Sequence, residues 1–192
     1  MNPLPLVWPP LAPRLECAQA ELLARARNGD REAIALLFGR SRERIVALCF
    51  QILRDRESAE DAAQEILLRA FDKMPQFRGE SEFSTWLYRM ALNFCLDRQR
   101  KTGRRAQLYE RVSEPETFAP DHAGQIETRL ALERALDELD EPSRLALILR
   151  EWHELSYEEI AAVLRLPLGT VKSRLNSARR EFRRVWEAQN GE

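Results

Sequence analysis

The chain has 192 residues, 44% of them apolar and 32% charged, a globular composition with room for one ordinary domain or two small ones. Its net charge of −1 leaves no whole-chain footprint for nucleic acid, so any basic surface has to be local. Cys17, Cys49 and Cys95 lie far apart, with no C-x-x-C pair and no metal-ligand spacing to His122 or His153; that pattern argues against a metal site or disulfide framework and for reduced cytosolic thiols.

Met1 to Pro13 holds five prolines and no basic stretch leading into an apolar run, so it reads as a disordered tail rather than a signal peptide or helix. After Leu15, apolar residues recur at three- and four-residue intervals and no run alternates as a strand would. A first helix is expected from Leu15 to Arg27, stopped by Asn28-Gly29, with Asp30 capping the next. That second helix presents Ala33, Leu36, Leu37, Ile45, Leu48 and Ile52. A third, capped near Ser58, presents Ala62, Ile66 and Ala70 and ends at Pro75. After a short loop from Gln76 to Glu80, Ser81 is expected to cap a fourth helix whose apolar face carries Trp86, Leu87, Met90, Ala91, Phe94 and Cys95. It runs out among Arg98, Arg100, Lys101, Arg104 and Arg105.

From Thr102 to Gly124 the periodicity is lost, and Gly103, Pro115, Pro120 and Gly124 punctuate a linker-like stretch. A second unit begins near Gln125, with Ile126, Leu130, Ala131 and Leu139 on one helix and Leu145, Ile148, Leu149 and Trp152 on another opening at Pro142. The expected fold is therefore all-α: a Pro-rich tail over 1–14, a small helical domain over 15–101, a linker over 102–124 and a second small domain over 125–188. Domains of this size bury only roughly 60% of their unfolded surface, so a partner that steadies them is expected. No stretch approaches the roughly 18 apolar residues of a membrane span, which points to a cytoplasmic protein with no membrane insertion.

The most informative stretch is Leu155 to Arg184, LSYEEIAAVLRLPLGTVKSRLNSARREFRR. Ser156 and Glu159 form an S-x-x-E capping box for a short helix with Ile160, Ala161 and Leu164 inward. A turn around Arg165 to Leu168 follows, and a second helix opens with Gly169-Thr170; small Ala161 suits the close approach at a helix-turn-helix elbow. With Val171 set at zero and steps of about 100° per residue, Leu175, Ala178 and Phe182 fall within roughly 40° of it, a buried stripe. The opposite face holds Ser173, Asn176, Ser177 and Arg180, flanked by Lys172, Arg174 and Arg179. These are side-chain types that bond base edges and phosphates. A solvated amphipathic helix would share the charge pattern, but not the capping box, small elbow and short turn that accompany it here.

LSYEEIA, GTVKSRL and the ARREFRR tail resemble domain four of the extracytoplasmic-function sigma factors of bacterial RNA polymerase. The resemblance implies recognition of the minus-thirty-five promoter element by Thr170, Lys172, Ser173, Arg174, Asn176, Ser177, Arg179 and Arg180. Pro167 departs from the family, where a capping Ser is common at that place.

Two earlier stretches, DAAQEILLRAFDKMPQFRGES (Asp61 to Ser81) and FSTWLYRMALNFCLDRQR (Phe83 to Arg100), are similar to domain two of the same family. Asp61, Gln64 and Glu65 stand at i, i+3 and i+4 and share one helical face; the resemblance implies that this face docks on the coiled-coil clamp helices of the largest polymerase subunit. It also gives Phe77, Arg78, Ser81, Phe83, Trp86 and Asn93 to the non-template strand of the minus-ten element, with Arg98, Arg100 and Lys101 on phosphates. Aromatic faces beside a basic groove are what unstacked bases require, although Trp86 also lies on the apolar stripe with Met90 and Phe94.

The implied function is promoter-specific transcription initiation, in response to an envelope or environmental stress signal. Core RNA polymerase and promoter DNA are the implied partners, and family practice adds an anti-sigma factor. Three alternatives stand beside this reading: a regulator with a dimerisation or sensor domain, a helical enzyme, and a pure interaction protein. The aromatic-basic loop and the Asn93 helix argue against the first. Against an enzyme, no triad, metal cluster or phosphate-cradling glycine loop appears and only seven glycines are present, so no catalytic residue, cofactor or small-molecule substrate is expected. His122 and His153 read as exposed bystanders, and Cys49 and Trp152 as core.

Overall fold

The computed structural model describes residues 16–106 and 131–190, and no strand occurs among them. By density of contacts the chain divides into two compact units, Met1–Ala91 and Leu92–Glu192. The N-terminal tail, His122, Ile126, Leu130 and most of the expected linker lie outside the described residues.

In the first unit, α1 (Glu16–Arg27) stops where the sequence requires it, with Gly29 at φ +86°, a conformation that only glycine adopts without strain. Asp30 then caps α2 (Arg31–Leu53), accepting from the backbone N–H groups of Glu32 and Ala33 at 3.0 and 3.1 Å, while Arg25 Nε donates to its other carboxylate oxygen at 2.7 Å. The Ala33 bond, followed by the bond from Arg25, holds the Asp30 carboxyl below the ordinary aspartate range. Helix α2 buries Ala33, Ile34, Leu37, Phe38, Ile45, Leu48, Cys49 and Ile52. Leu36, expected on that face, is 46% exposed, because at 100° per residue it stands about 150° from the centre of the stripe.

The expected cap of α3 is corrected. Asp55, not Ser58, occupies the cap position, and its carboxylate accepts from the Ser58 N–H at 2.7 Å; Ser58 is the donor of the first turn. Helix α3 (Arg56–Lys73) buries Ala59, Ala62, Ala63, Ile66 and Ala70, a face of small side chains that lets it lie close on α2. It gives way to a 3₁₀ turn, Met74–Gln76, with Pro75 in its first turn.

Helix α4 runs over Phe83–Ala106 and crosses the Ala91/Leu92 boundary between the units. Its first bond, Trp86 N–H to the Glu82 carbonyl at 3.0 Å, makes Glu82 the cap residue and leaves Ser81 one place outside it. Phe83, Leu87, Ala91 and Cys95 form the buried stripe with Tyr88 and Leu92, whereas Trp86, Met90 and Phe94 stay half-exposed on its flank. The helix continues past Thr102, where periodicity fails, because a single interior glycine costs only about 1 kcal/mol and helix formers surround Gly103.

In the second unit, residues 131–137 (α5) bury Ala135 and Leu136, and Leu139 is buried just beyond. Helix α6 (Glu141–Glu151), with Pro142 in its first turn, buries Leu145, Ala146, Leu147, Ile148 and Leu149; Trp152 is half-buried at its cap. His153, expected to be exposed, is buried. The turn that carries it folds back on α6, with Leu155 N–H bonded to the Leu149 carbonyl at 3.1 Å and Arg150 donating to the Leu155 carbonyl at 2.8 Å. Helices α7 (Tyr157–Leu164) and α8 (Leu168–Asn190) complete the unit.

Candidate nucleic-acid interface

Helix α7 begins with the expected capping box: Ser156 Oγ accepts from Glu159 N–H at 3.1 Å and Glu159 Oε2 accepts from Ser156 N–H at 2.7 Å. Ile160 and Val163 are its buried residues, while Ala161 and Leu164, expected inward, are half-buried; spacing of three rather than four selects the inward pair. The helix stops at Arg165 in the left-handed conformation, φ 55°, and the N–H groups of Arg165 and Leu166 both return to the Ala161 carbonyl. Pro167 stands at the cap position of α8, its carbonyl accepting from Val171 N–H at 3.1 Å. It offers no side-chain acceptor, so the start of α8 lacks the hydroxyl cap that a serine would supply.

Helix α8 buries Val171, Leu175, Ala178, Phe182 and Val185, the expected stripe extended by one turn. Lys172, Ser173, Asn176, Ser177 and Arg180 are exposed together on the far side, with Thr170 half-exposed beside them. The arrangement is a helix-turn-helix whose second helix offers amide, hydroxyl and cationic groups at the spacing of a major-groove reader. Two flanking arginines are placed differently from the rest. Arg174 approaches Asp140 at 4.0 Å, and Arg179 is turned back onto the protein, donating from Nε and NH2 to Glu151 Oε1 at 3.0 and 2.8 Å and from NH1 to Tyr157 Oη at 3.3 Å. At about 100° per residue Arg179 stands about 80° from Val171 and Arg180 about 180°, so spacing puts Arg179 on the flank without showing the partners it meets, while Arg180 is exposed.

The loop before α4 makes a second site. Gln76, Phe77, Arg78, Glu80, Ser81, Trp86 and Arg89 line an open cleft of about 390 Å³, and Gly79 at φ +76° turns the chain around it. Behind it, Phe77, Phe83 and Trp86 pack in mutual contact, with ring centroids 5.2 to 6.0 Å apart, and Phe38 stacks on Phe83 at 6.0 Å. The expectation for two of these rings is corrected: Phe77 and Phe83 are 5% and 2% exposed, so neither offers a face to a base. They hold Trp86, which is half-exposed and is the open aromatic wall. Arg78 is exposed and Ser81 half-exposed. Arg89, which the sequence reading passed over, lines the cleft. Asn93 is exposed on α4, seven residues from Trp86 and therefore on the same helical face. Farther along, Arg100 pairs with Asp97 at 3.6 Å, Lys101 is exposed and Arg98 half-exposed.

On α3, Asp61, Gln64 and Glu65 are all exposed, on the side away from its alanines, and Glu65 pairs with Arg69 at 2.9 Å. Beside them lie two residues that sequence reasoning missed, Leu68 at 59% and Phe71 at 41% exposure. With Phe38, Arg42, Gln64 and Leu67 they line a shallow apolar groove of about 250 Å³. The available signal was that Leu68 and Phe71 fall off the Ala59–Ala70 stripe while remaining large and apolar.

Residues 37–105 match the family model for sigma-70 region 2, and residues 129–182 match that for sigma-70 region 4. The chain is 36% identical over 171 residues to the RNA polymerase sigma-H factor of Pseudomonas aeruginosa, covering 83% of this chain and 89% of that one. It is 34% identical over 174 residues to the ECF RNA polymerase sigma-E factor of Escherichia coli K12, covering 82% and 88%. The chain belongs to the extracytoplasmic-function family of RNA polymerase sigma factors. Among solved structures, the sigma factor RpoE of Bartonella quintana, crystallised with the anti-sigma factor NepR, is 27% identical with a TM-score of 0.67 over 82% of this chain and 97% of that one. CnrH, solved with the cytosolic domain of CnrY, shares the fold with a TM-score of 0.70 at 24% identity over 89% and 98%. In this sigma factor, the cleft and the α3 face belong to region 2 and the helix-turn-helix to region 4. Among the described residues no cluster of ligands could hold a metal ion, and no helix is long and apolar enough to cross a membrane.

Proposed function

We propose that this sigma factor carries core RNA polymerase to a set of stress-responsive promoters, using three surfaces. Asp61, Gln64 and Glu65 dock on the clamp helices of the largest polymerase subunit, and the Leu68–Phe71 groove beside them receives an apolar side chain of the same partner. The region 2 cleft, with Arg78, Ser81, Trp86 and Asn93, holds unstacked non-template bases of the minus-ten element, while Arg98, Arg100 and Lys101 serve phosphates. Region 4 presents Thr170, Lys172, Ser173, Arg174, Asn176, Ser177 and Arg180 to the minus-thirty-five element.

The reading rests most heavily on α8, where five polar or cationic residues face outward from a stripe of apolar ones behind a capped elbow. Two moderate DNA contacts joined in one chain combine through effective concentration, so neither module has to bind tightly alone. Functionally the chain divides into a region 2 module to residue 101, a connector over 102–124 and a region 4 module over 125–188. The factor contributes recognition rather than catalysis and acts in the cytoplasm. An anti-sigma factor that covers these surfaces until the signal arrives is supported by the Bartonella quintana relative, which was crystallised with one.

The test is run-off transcription by core polymerase reconstituted with the full chain on a genomic promoter library. Charge reversal at Lys172 and Arg180 should abolish selection of promoters by their upstream element while core binding persists. Trp86→Ala should leave duplex binding intact and reduce open-complex formation, read by permanganate reactivity, by about five-fold or more, since base–aromatic stacking is worth about 1–3 kcal/mol. Transcription indifferent to all three changes would sink the site assignments.

A further inference from the structure

Arg179 looks, in sequence, like one more cation of the recognition helix, but its guanidinium is committed elsewhere. Nε and NH2 both donate to Glu151 Oε1 at the end of α6, at 3.0 and 2.8 Å, and NH1 donates to the Tyr157 hydroxyl at the start of α7, at 3.3 Å. Tyr157 is also held at its ring, with the Arg150 guanidinium over it 5.2 Å from the ring centroid. Arg150 in turn donates to the Leu155 carbonyl at 2.8 Å and closes the α6–α7 turn. The hydrogen bond from Arg179 and its charge pull the Tyr157 hydroxyl below the ordinary tyrosine range. One side chain therefore joins α8 to both supporting helices of the region 4 module.

We propose that Arg179 is a positioning residue: with Glu151 and Tyr157 it forms a clasp that sets the angle at which α8 leaves its scaffold. Arg180, exposed beside it, is left to meet the phosphate backbone. The inference rests on the reading of α8 as the minus-thirty-five recognition helix. It differs from a phosphate contact in a measurable way. Each phosphate neutralised by a cation adds about 0.9 to the slope of log affinity against log salt, and a cation spent inside the protein adds nothing to it. A helix whose angle is loosened keeps its non-specific attraction to DNA and loses discrimination between right and wrong base edges.

The experiment uses holoenzyme assembled from the full chain and core polymerase. A duplex library randomised over the upstream element is selected with wild-type holoenzyme, and the recovered consensus and a scrambled duplex become the probes, measured across a potassium chloride series. Arg179→Ala, Glu151→Ala, Tyr157→Phe and the exchange Glu151→Arg/Arg179→Glu are compared with wild type. The clasp predicts that Arg179→Ala and Glu151→Ala lose consensus-over-scrambled preference by a similar factor, about five-fold for a coupling near the top of the range for part-exposed ion pairs. Tyr157→Phe should lose less, every salt slope should stay at the wild-type value, and the exchanged pair should recover most of the preference. A salt slope lowered by about 0.9 in Arg179→Ala alone, with Glu151→Ala neutral and the exchange worst of the set, would overturn the clasp and return Arg179 to the DNA contacts. Failure of the wild-type holoenzyme to enrich any upstream sequence would instead refute the reading of α8 itself.

Discussion

The capping box of α7 offers a direct link from two side chains to the elbow of region 4. Helix α7 spans only Tyr157–Leu164, too short to persist on local propensity, and its first turn depends on the exchange between Ser156 and Glu159 at 3.1 and 2.7 Å. Ser156→Ala removes the acceptor for Glu159 N–H and leaves the reverse bond possible, at a cost of about 1 kcal/mol. Glu159→Ala removes a carboxylate acceptor from a part-buried N–H, again about 1 kcal/mol or slightly more. The two bonds support one turn, so the double variant should cost less than the sum of the singles. In a module of this size each kcal/mol lowers the unfolding midpoint by about 4–8 °C. Calorimetry of the full chain reads that shift, and amide exchange assigns it: protection should fall at Glu159, Ile160 and their neighbours while α3 amides keep theirs. Unchanged exchange in α7 after Ser156→Ala, or fully additive costs, would refute the account of the elbow.

Asp30 gives a pH-dependent test. Its folded-state pKa lies below the ordinary value, so the stability it contributes is fully present above an unfolded pKa of about 3.9 and is lost as pH falls through the lower folded value. Asp30→Ala should therefore lower the unfolding midpoint at neutral pH and differ little from wild type once the carboxyl is protonated in both states, as followed by circular dichroism across an acid series. Pro167→Ser places a hydroxyl acceptor at the uncapped start of α8; it should raise stability by about 0.5 kcal/mol, the gain from a cap less the entropy that proline removes from the unfolded chain. Denaturant titration would show a higher midpoint without a change in slope.

Where a local physical signal was strong, the chain could be read directly. Asn28-Gly29-Asp30, the Ser156–Glu159 box and the Val171–Leu175–Ala178–Phe182 stripe each carry their geometry in a few adjacent residues, and the structure places them as expected. Misreadings arose where a choice depended on packing. Ser58 and Asp55 are both competent caps, and the register of α3 decides between them. Phe77 and Trp86 are both aromatic beside the same loop and both pack on Phe83, yet Phe77 is buried and Trp86 stays half-exposed. Arg179 and Arg180 differ by 100° on α8, and only the proximity of Glu151 and Tyr157, 28 and 22 residues away in sequence, shows that one is tied inward. His153 follows a helix end, a place usually exposed, and is buried because the Arg150–Leu155 bond folds its turn back on α6.

The most direct measurement is co-elution of the purified chain with bacterial core RNA polymerase, comparing wild type with an Asp61→Arg, Glu65→Arg variant. Both residues are exposed on α3 and away from its buried face, so the variant keeps its fold while reversing the charge of the proposed docking face. The account predicts stoichiometric binding by wild type and its loss in the variant. Binding of duplex DNA by the chain alone, with no association to core polymerase, would contradict it.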